Sequence, residues 1–211
     1  MTAQSSIQGD NSFVARARYP KGRKSLQAIL DATFEIVTTD GLAAASQDAI
    51  AKRANVTKSA VRHYFPTKEE LLLAFFSVGV ERLKAIIDEM LSQNTQSPRE
   101  MLLDIVTTHY DWIGDTDDIY YFESAAFWGR NPGFRNMRED WYQQMAANYR
   151  DLVKEVHPEW SHRQCDNVSF QILTLVLGGW LTIGNTRPTH QSRSAKSLKA
   201  ALRDGIESLI Q

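Results

Sequence analysis

Lys58, Ser59, Arg62 and His63 fall on one side of a helical pitch, and Ala60, Val61 and Phe65 fall on the other. A short helix built this way buries three apolar groups and offers solvent a row of hydrogen-bond donors, two of them permanently charged. Lys supplies a point charge and Arg a planar fork of donors, both suited to oxygen acceptors on a polyanion. The chemistry is recognition of a nucleic acid, with the helix laid in a major groove.

Such a helix must be held rigidly from behind. Residues 46–68, SQDAIAKRANVTKSAVRHYFPTK, read as two short helices joined by a tight turn and handed to a third. Ala51 is small enough for the second helix to cross the first closely. Asn55, four residues later, sits where the chain turns left-handed; Gly is usual there and Asn is the next most tolerant residue. Val61, six residues further on, pins the second helix to the first. This is the spacing of a helix-turn-helix. Ser46 and Thr57 are placed to cap the two short helices. Val56 and Val61 stand at staple positions around the second cap, and Thr67 with Glu70 forms a capping box for the third helix.

The rest of the chain reads as helix throughout. One helix is expected from about Arg23 to Asp40, with Leu26, Ile29, Leu30, Phe34 and Val37 on one side and Gly41 as its stop. Later segments run from Thr67 to about Leu91, from Ser97 to Gly114, from Asp117 to Trp128 and from Phe134 to Val156. Two more follow, from Ser161 to about Gly184 and, after a loop through Pro188, from Ser194 to Ile210. The sum is about nine helices and no alternating strand. The expected fold is all-α: an N-terminal three-helix domain with the helix-turn-helix, over residues 19–66, and a larger helical bundle over residues 67–211. Residues 1–18, with Arg16 and Arg18, read as a disordered basic arm that Lys21, Arg23 and Lys24 extend.

Composition agrees with a DNA contact at one end. Residues 1–65 hold nine Lys/Arg against five Asp/Glu, or +4, and residues 66–211 hold fifteen against twenty, or −5. The longest apolar run, Val168 to Ile183, is interrupted by Ser169, Gln171 and Thr174 and is too short for a membrane span. MTAQSSIQGDNSF lacks the apolar core of a signal peptide. A single cysteine, Cys165, leaves no intrachain disulfide framework and fits a reducing cytoplasm.

On these residues the chain resembles the TetR family of transcriptional regulators. The matching stretch covers about residues 23–72: Asp40-Gly41, Ser46, Ile50-Ala51, Ala54-Asn55-Val56-Thr57 and Phe65-Pro66-Thr67-Lys68-Glu69. The resemblance implies a homodimer whose C-terminal halves form a ligand-binding and dimerisation core, bound to a double-stranded DNA operator. By family position, Lys58, Ser59 and Arg62 meet base edges, with Ala60 near a thymine methyl. Gln47, Tyr64 and Lys68 fit phosphate contacts, and His63 joins the DNA-facing set. Asn55 replaces the family's turn Gly. Arg62 replaces its usual Tyr, and can reach guanine O6 and N7 in bidentate fashion.

The larger half is densely aromatic, with all five Trp residues beyond residue 111. Tyr120, Phe122, Phe127, Trp128, Trp141, Phe170 and Trp180 are candidates to line a ligand site between helices, with Glu123 and His109 to orient the ligand. An acidic group among rings admits a cationic ligand as readily as an apolar one. Gly178-Gly179 and the wide apolar stripes of the last two helices suit a four-helix, two-fold interface. HExxH, GxSxG, GxGxxG, Walker and CxxC motifs are missing, so neither an enzyme, a metal site nor a cofactor is expected. The reading is a ligand-responsive repressor. Its alternative is a helical dimer of the same fold acting as a protein-binding adaptor or ligand sequestrant, which would have little use for the exposed cations Lys58, Arg62 and Lys68.

Overall fold

A computed structural model of the chain describes residues 17, 19–93, 96–183 and 194–211. The expected basic arm (residues 1–16 and 18, with Arg16 and Arg18) and the loop through Pro188 lie outside the described residues. The helices are α1 (Pro20–Asp40), α2 (Gln47–Arg53), α3 (Lys58–Tyr64), α4 (Lys68–Gln93), α5 (Pro98–Asp115), α6 (Asp118–Trp128), α7 (Pro132–Val156), α8 (His162–Leu177) and α9 (Ala195–Leu209). A 3-10 turn, Leu42–Ala44, follows α1, and a single turn, Gly179–Thr182, continues α8 past a break at Gly178. No strand forms among the described residues, and none of their helices is long and apolar enough to cross a membrane. The fold is all-α, with the helix-turn-helix near the N-terminus.

The helices start where the side chains dictate. Ser46, Thr57, Ser97, Ser161 and Ser194 each accept a bond from a first-turn amide, and Ser161 with Gln164 closes a full capping box. Thr67 likewise accepts from the Glu70 amide at 3.1 Å. At α1 the structure departs from expectation, since the helix begins at Pro20 rather than Arg23. Proline presets the helical φ, and its missing N–H is one that no first-turn carbonyl would have satisfied. Gly22 is thereby drawn into the helix, where a Cβ would stand 3.1 Å from the Tyr64 hydroxyl. Gly41 ends α1 at φ +83°, a region closed to most L-residues.

Contacts divide the chain into two compact units. One contains the described residues up to Arg82 together with Ile119–Arg135; the other contains Leu83–Asp118 and Asn136–Gln211. In the first, Leu26, Ile29, Ile50, Val61 and Phe65 form the core behind the helix-turn-helix. Burying each such side chain is worth about 1.5–3 kcal/mol. A second layer of rings covers α4: Tyr120 lies 5.3 Å from Phe75 and 5.4 Å from Phe76, and Phe127 and Phe134 each lie 5.5 Å from Phe76.

In the second unit, Leu102, Ile105, Val106, Met145, Tyr149, Ile172, Val176 and Ile206 meet in the core of α5, α7, α8 and α9. Gly179 packs within the chain, against Tyr110 and Ile113 of α5, at ordinary contact distance. Ion pairs run along α9 to α5: Glu207 to Arg99 at 2.9 Å, Arg203 to Glu100 at 2.6 Å and to Asp104 at 3.3 Å, and Lys199 to Asp111 at 2.7 Å.

Candidate nucleic-acid interface

The turn between α2 and α3 has the backbone its sequence requires. Asn55 sits at φ +53°, the one non-glycine residue with positive φ among those described. The Val56 amide bonds back to the Ala51 carbonyl at 3.0 Å, closing the turn. Ile50, Ala51 and Val61 are buried at the crossing. Held in this way, α3 presents Lys58, Ser59, Arg62 and His63 to solvent, with Ala60 partly covered.

Several of these side chains are braced. Lys58 Nζ lies 2.6 Å from Asp48 Oδ2. Arg62 Nε lies 3.5 Å from Gln47 Oε1, while the Gln47 amide donates to the carbonyl of Phe65 at 2.7 Å and to that of Pro66 at 3.4 Å. Gln47 thus ties the start of α2 to the end of α3 and steadies Arg62. Lys68 Nζ donates to the Leu42 and Ala43 carbonyls at 3.2 and 3.4 Å, which leaves one of its three donors uncommitted by these bonds. The His63 ring stands edge-on to Tyr64 at 5.1 Å.

Tyr64 has a different place from the rest. Its ring is buried at 7% exposure, and its hydroxyl donates to the Gly22 carbonyl at 3.1 Å. This strut joins the end of α3 to the first turns of α1, where Lys21, Arg23 and Lys24 carry further positive charge at the surface. Asp48 was not foreseen as part of this surface. Its exposed place in the first turn of α2 was readable, but the pairing across the turn was not. Arg53 turns away, bonded to Glu35 at 2.6 Å.

The nine ligand candidates are divided between the two compact units. Tyr120, Phe122, Glu123, Phe127 and Trp128 lie on α6, in the same unit as the helix-turn-helix. Phe127 and Trp128 are buried among rings, Phe122 is largely exposed, and Glu123 Oε1 is 3.4 Å from where a Cβ on Gly41 would stand. His109, Trp141, Phe170 and Trp180 lie in the other unit. His109 is fully buried, with Nδ1 3.4 Å from the Tyr149 hydroxyl and its ring 6.4 Å from Trp141. Burial lowers its pKa to about 4, so the imidazole is neutral at ordinary pH. Trp180 stands edge-on to Trp112 at 5.7 Å. Phe170 is 69% exposed on α8. A groove of about 580 Å³ between α7 and α8 is lined by polar groups instead, among them Asp140, Gln144, Arg150 and Asp166.

Residues 29–75 match the family model described as bacterial regulatory proteins, tetR family. The HTH-type transcriptional regulator BetI of Escherichia coli O17:K52:H18 (strain UMN026 / ExPEC) is 26% identical over 161 residues, covering 72% of this chain and 78% of that protein. A solved TetR transcription regulator from Haloarcula marismortui ATCC 43049 superposes with a TM-score of 0.71 at 17% identity, over 89% of this chain and 97% of that one. A transcriptional regulator from Rhodococcus sp. Rha1 gives a TM-score of 0.69 at 21% identity, over 88% and 95%. At those identities the two structures attest the fold alone. The family match falls on the segment whose caps, left-handed Asn55 turn and exposed cations build the helix-turn-helix, and together with the curated relative it supports a TetR family transcriptional regulator.

Proposed function

We propose that this regulator is a ligand-responsive repressor, which holds a two-fold DNA operator as a homodimer and leaves it when a small molecule binds the helical half. The observation that carries the reading is α3 itself: Lys58, Ser59, Arg62 and His63 face solvent over a buried Val61, Tyr64 and Phe65. In this reading residues 19–66 are the DNA-binding head, residues 1–18 a basic arm, and residues 67–211 the ligand and dimer region. Lys58, Ser59 and Arg62 read base edges, with Ala60 against a thymine methyl. Lys68 spends its remaining donor on a phosphate, as Lys21, Arg23 and Lys24 do from α1. Gln47 orients Arg62, and Tyr64 fixes the angle between α3 and α1. Work on chromosomal DNA puts the protein in the cytoplasm.

Two exposed apolar groups support the dimer. Cys165, Ser169, Ile172 and Val176 form the buried stripe of α8, yet Phe170 on α8 is 69% exposed, and Leu181, in the turn that follows α8, is 67% exposed. Large apolar side chains left in water are completed by a second apolar surface. Two heads joined there must stand about 34–36 Å apart to enter successive major grooves.

The effector is an apolar or cationic small molecule. The rings of α6 around Phe76, and the His109–Trp141–Tyr149 group, supply apolar walls and ring faces, and Glu123 supplies a negative charge. These rings pack at ordinary contact distances, so an effector enters by parting them. It acts by preferring the conformation in which α4 holds the heads at the wrong separation. The test is DNA affinity measured by fluorescence anisotropy against a panel of neutral hydrophobic molecules and quaternary ammonium compounds. At least one class should weaken operator binding tenfold or more. A compound that saturates the protein tightly while every DNA affinity stays constant overturns the ligand response.

A further inference from the structure

One ion pair bridges the two helices of the helix-turn-helix on their exposed side. Asp48 stands in the first turn of α2, Lys58 opens α3, and Nζ and Oδ2 are 2.6 Å apart with the side chains 67% and 44% exposed. So open a pair gains little stability, because water screens it and two mobile side chains lose freedom. Neither residue is a cap, since Ser46 and Thr57 fill those roles. A carboxylate on this surface is also repelled by every phosphate that α3 approaches, a cost that a base contact can offset.

The geometry of a base pair supplies that contact. In the major groove guanine presents O6 and N7 as acceptors, and its cytosine presents the N4 amino group as a donor. O6 and N4 are bonded to each other, which sets them about 2.9 Å apart. The Lys58–Asp48 couple has nearly that span and the opposite polarity. An ammonium over O6 donates to it, and a carboxylate over N4 accepts the amino hydrogen not used in pairing.

We propose that Asp48 and Lys58 read one base pair of each half-site as a unit, with the keto base under Lys58 and the amino base under Asp48. T·A in that orientation keeps the order, through thymine O4 and adenine N6. G·C is preferred because guanine N7 gives the ammonium a second acceptor where thymine carries a methyl. The reversed pairs, C·G and A·T, set an amino donor against the ammonium and a keto oxygen against the carboxylate. Lys58 alone would favour guanine; Asp48 adds rejection of the flipped pair. The assignment rests on the DNA-binding reading of α3.

The experiment is selection of sites from a random duplex library by the full-length wild type, Asp48→Ala, Lys58→Ala and the double variant. Competition binding then follows on the best site and its single-pair changes. The wild type should show one position per half-site where G·C beats C·G by about tenfold or more, with T·A between them. Asp48→Ala should bind random duplex more tightly while that ratio falls below about threefold. Lys58→Ala should lose the preference at the same position, and the double variant should lose no more there than either single one. A uniform gain in affinity for Asp48→Ala with the ratio unchanged overturns the proposal, as do effects of the two residues at different positions. A wild type without any sequence preference sinks the DNA reading itself, and does so before any variant is compared.

Discussion

α3 and α8 each bury one side and expose the other, but their exposed sides are opposite in character. α3 shows water two cations, a serine and a histidine, all comfortable there, and in the proposed reading they serve a partner that rewards positive charge and donors. α8 and the turn after it show water Phe170 and Leu181, each forgoing most of a full burial worth about 1.5–3 kcal/mol. That surface is explained by a partner that removes apolar groups from water. In the proposed reading the two surfaces meet different partners, a polyanion at one and a second subunit at the other.

The sharpest way to break the comparison is to charge the apolar side. Phe170→Glu removes two buried rings per dimer and should weaken self-association by about 3–6 kcal/mol, leaving monomers in sedimentation equilibrium. A wild type already monomeric at micromolar concentration would show that α8 needs no second copy. Acid sharpens it next, through His109 in the unit that contains α8. The unfolded imidazole takes up a proton near pH 6.5, whereas the folded one stays neutral down to about pH 4. The unfolded chain therefore binds more protons in that window, and stability falls as the pH drops from 6.5 to 4, by about 3 kcal/mol in all. His109→Asn should flatten the pH slope of urea unfolding by about one proton over this range.

On the α3 side the effects are smaller. Arg62→Ala should cost about 1–3 kcal/mol at one base position; an equal loss on specific and random duplex removes Arg62 from the base-reading set. Asn55→Ala, which puts a less tolerant residue at φ +53°, should destabilise the head by about 1 kcal/mol, seen as a lower urea midpoint, while Asn55→Gly should not.

Much of this was legible from residue types alone. Caps name helix starts by local chemistry: Ser46, Thr57 and Thr67 accept first-turn bonds as their spacing predicts, and Ser97, Ser161 and Ser194 cap the helices read as starting there. The left-handed turn at Asn55 was readable for the same reason. What stayed hidden involves partners distant in the chain: Tyr64 bonds to a carbonyl 42 residues away, and Lys58 finds Asp48 across the turn. The start of α1 falls three residues before the expected Arg23, because Pro20 serves at the first helical position and Gly22, inside the helix, accommodates Tyr64. The aromatic helix α6 is apolar nearly all round, so periodicity could not say that Phe127 turns in and Phe122 out. Nor could it divide the ring candidates between two compact units.

DNA binding by α3 is the claim on which the rest stands, and a salt titration measures it most directly. The protein is titrated onto the DNA upstream of its own gene and onto random duplex of equal length, from low to physiological salt, beside Arg62→Ala. Wild-type protein should hold the upstream DNA at least about a thousandfold more tightly than the random duplex at physiological salt, with a steep negative salt slope on both and a reduced margin for Arg62→Ala. Equal affinity for the two duplexes, unchanged by Arg62→Ala, would contradict the account.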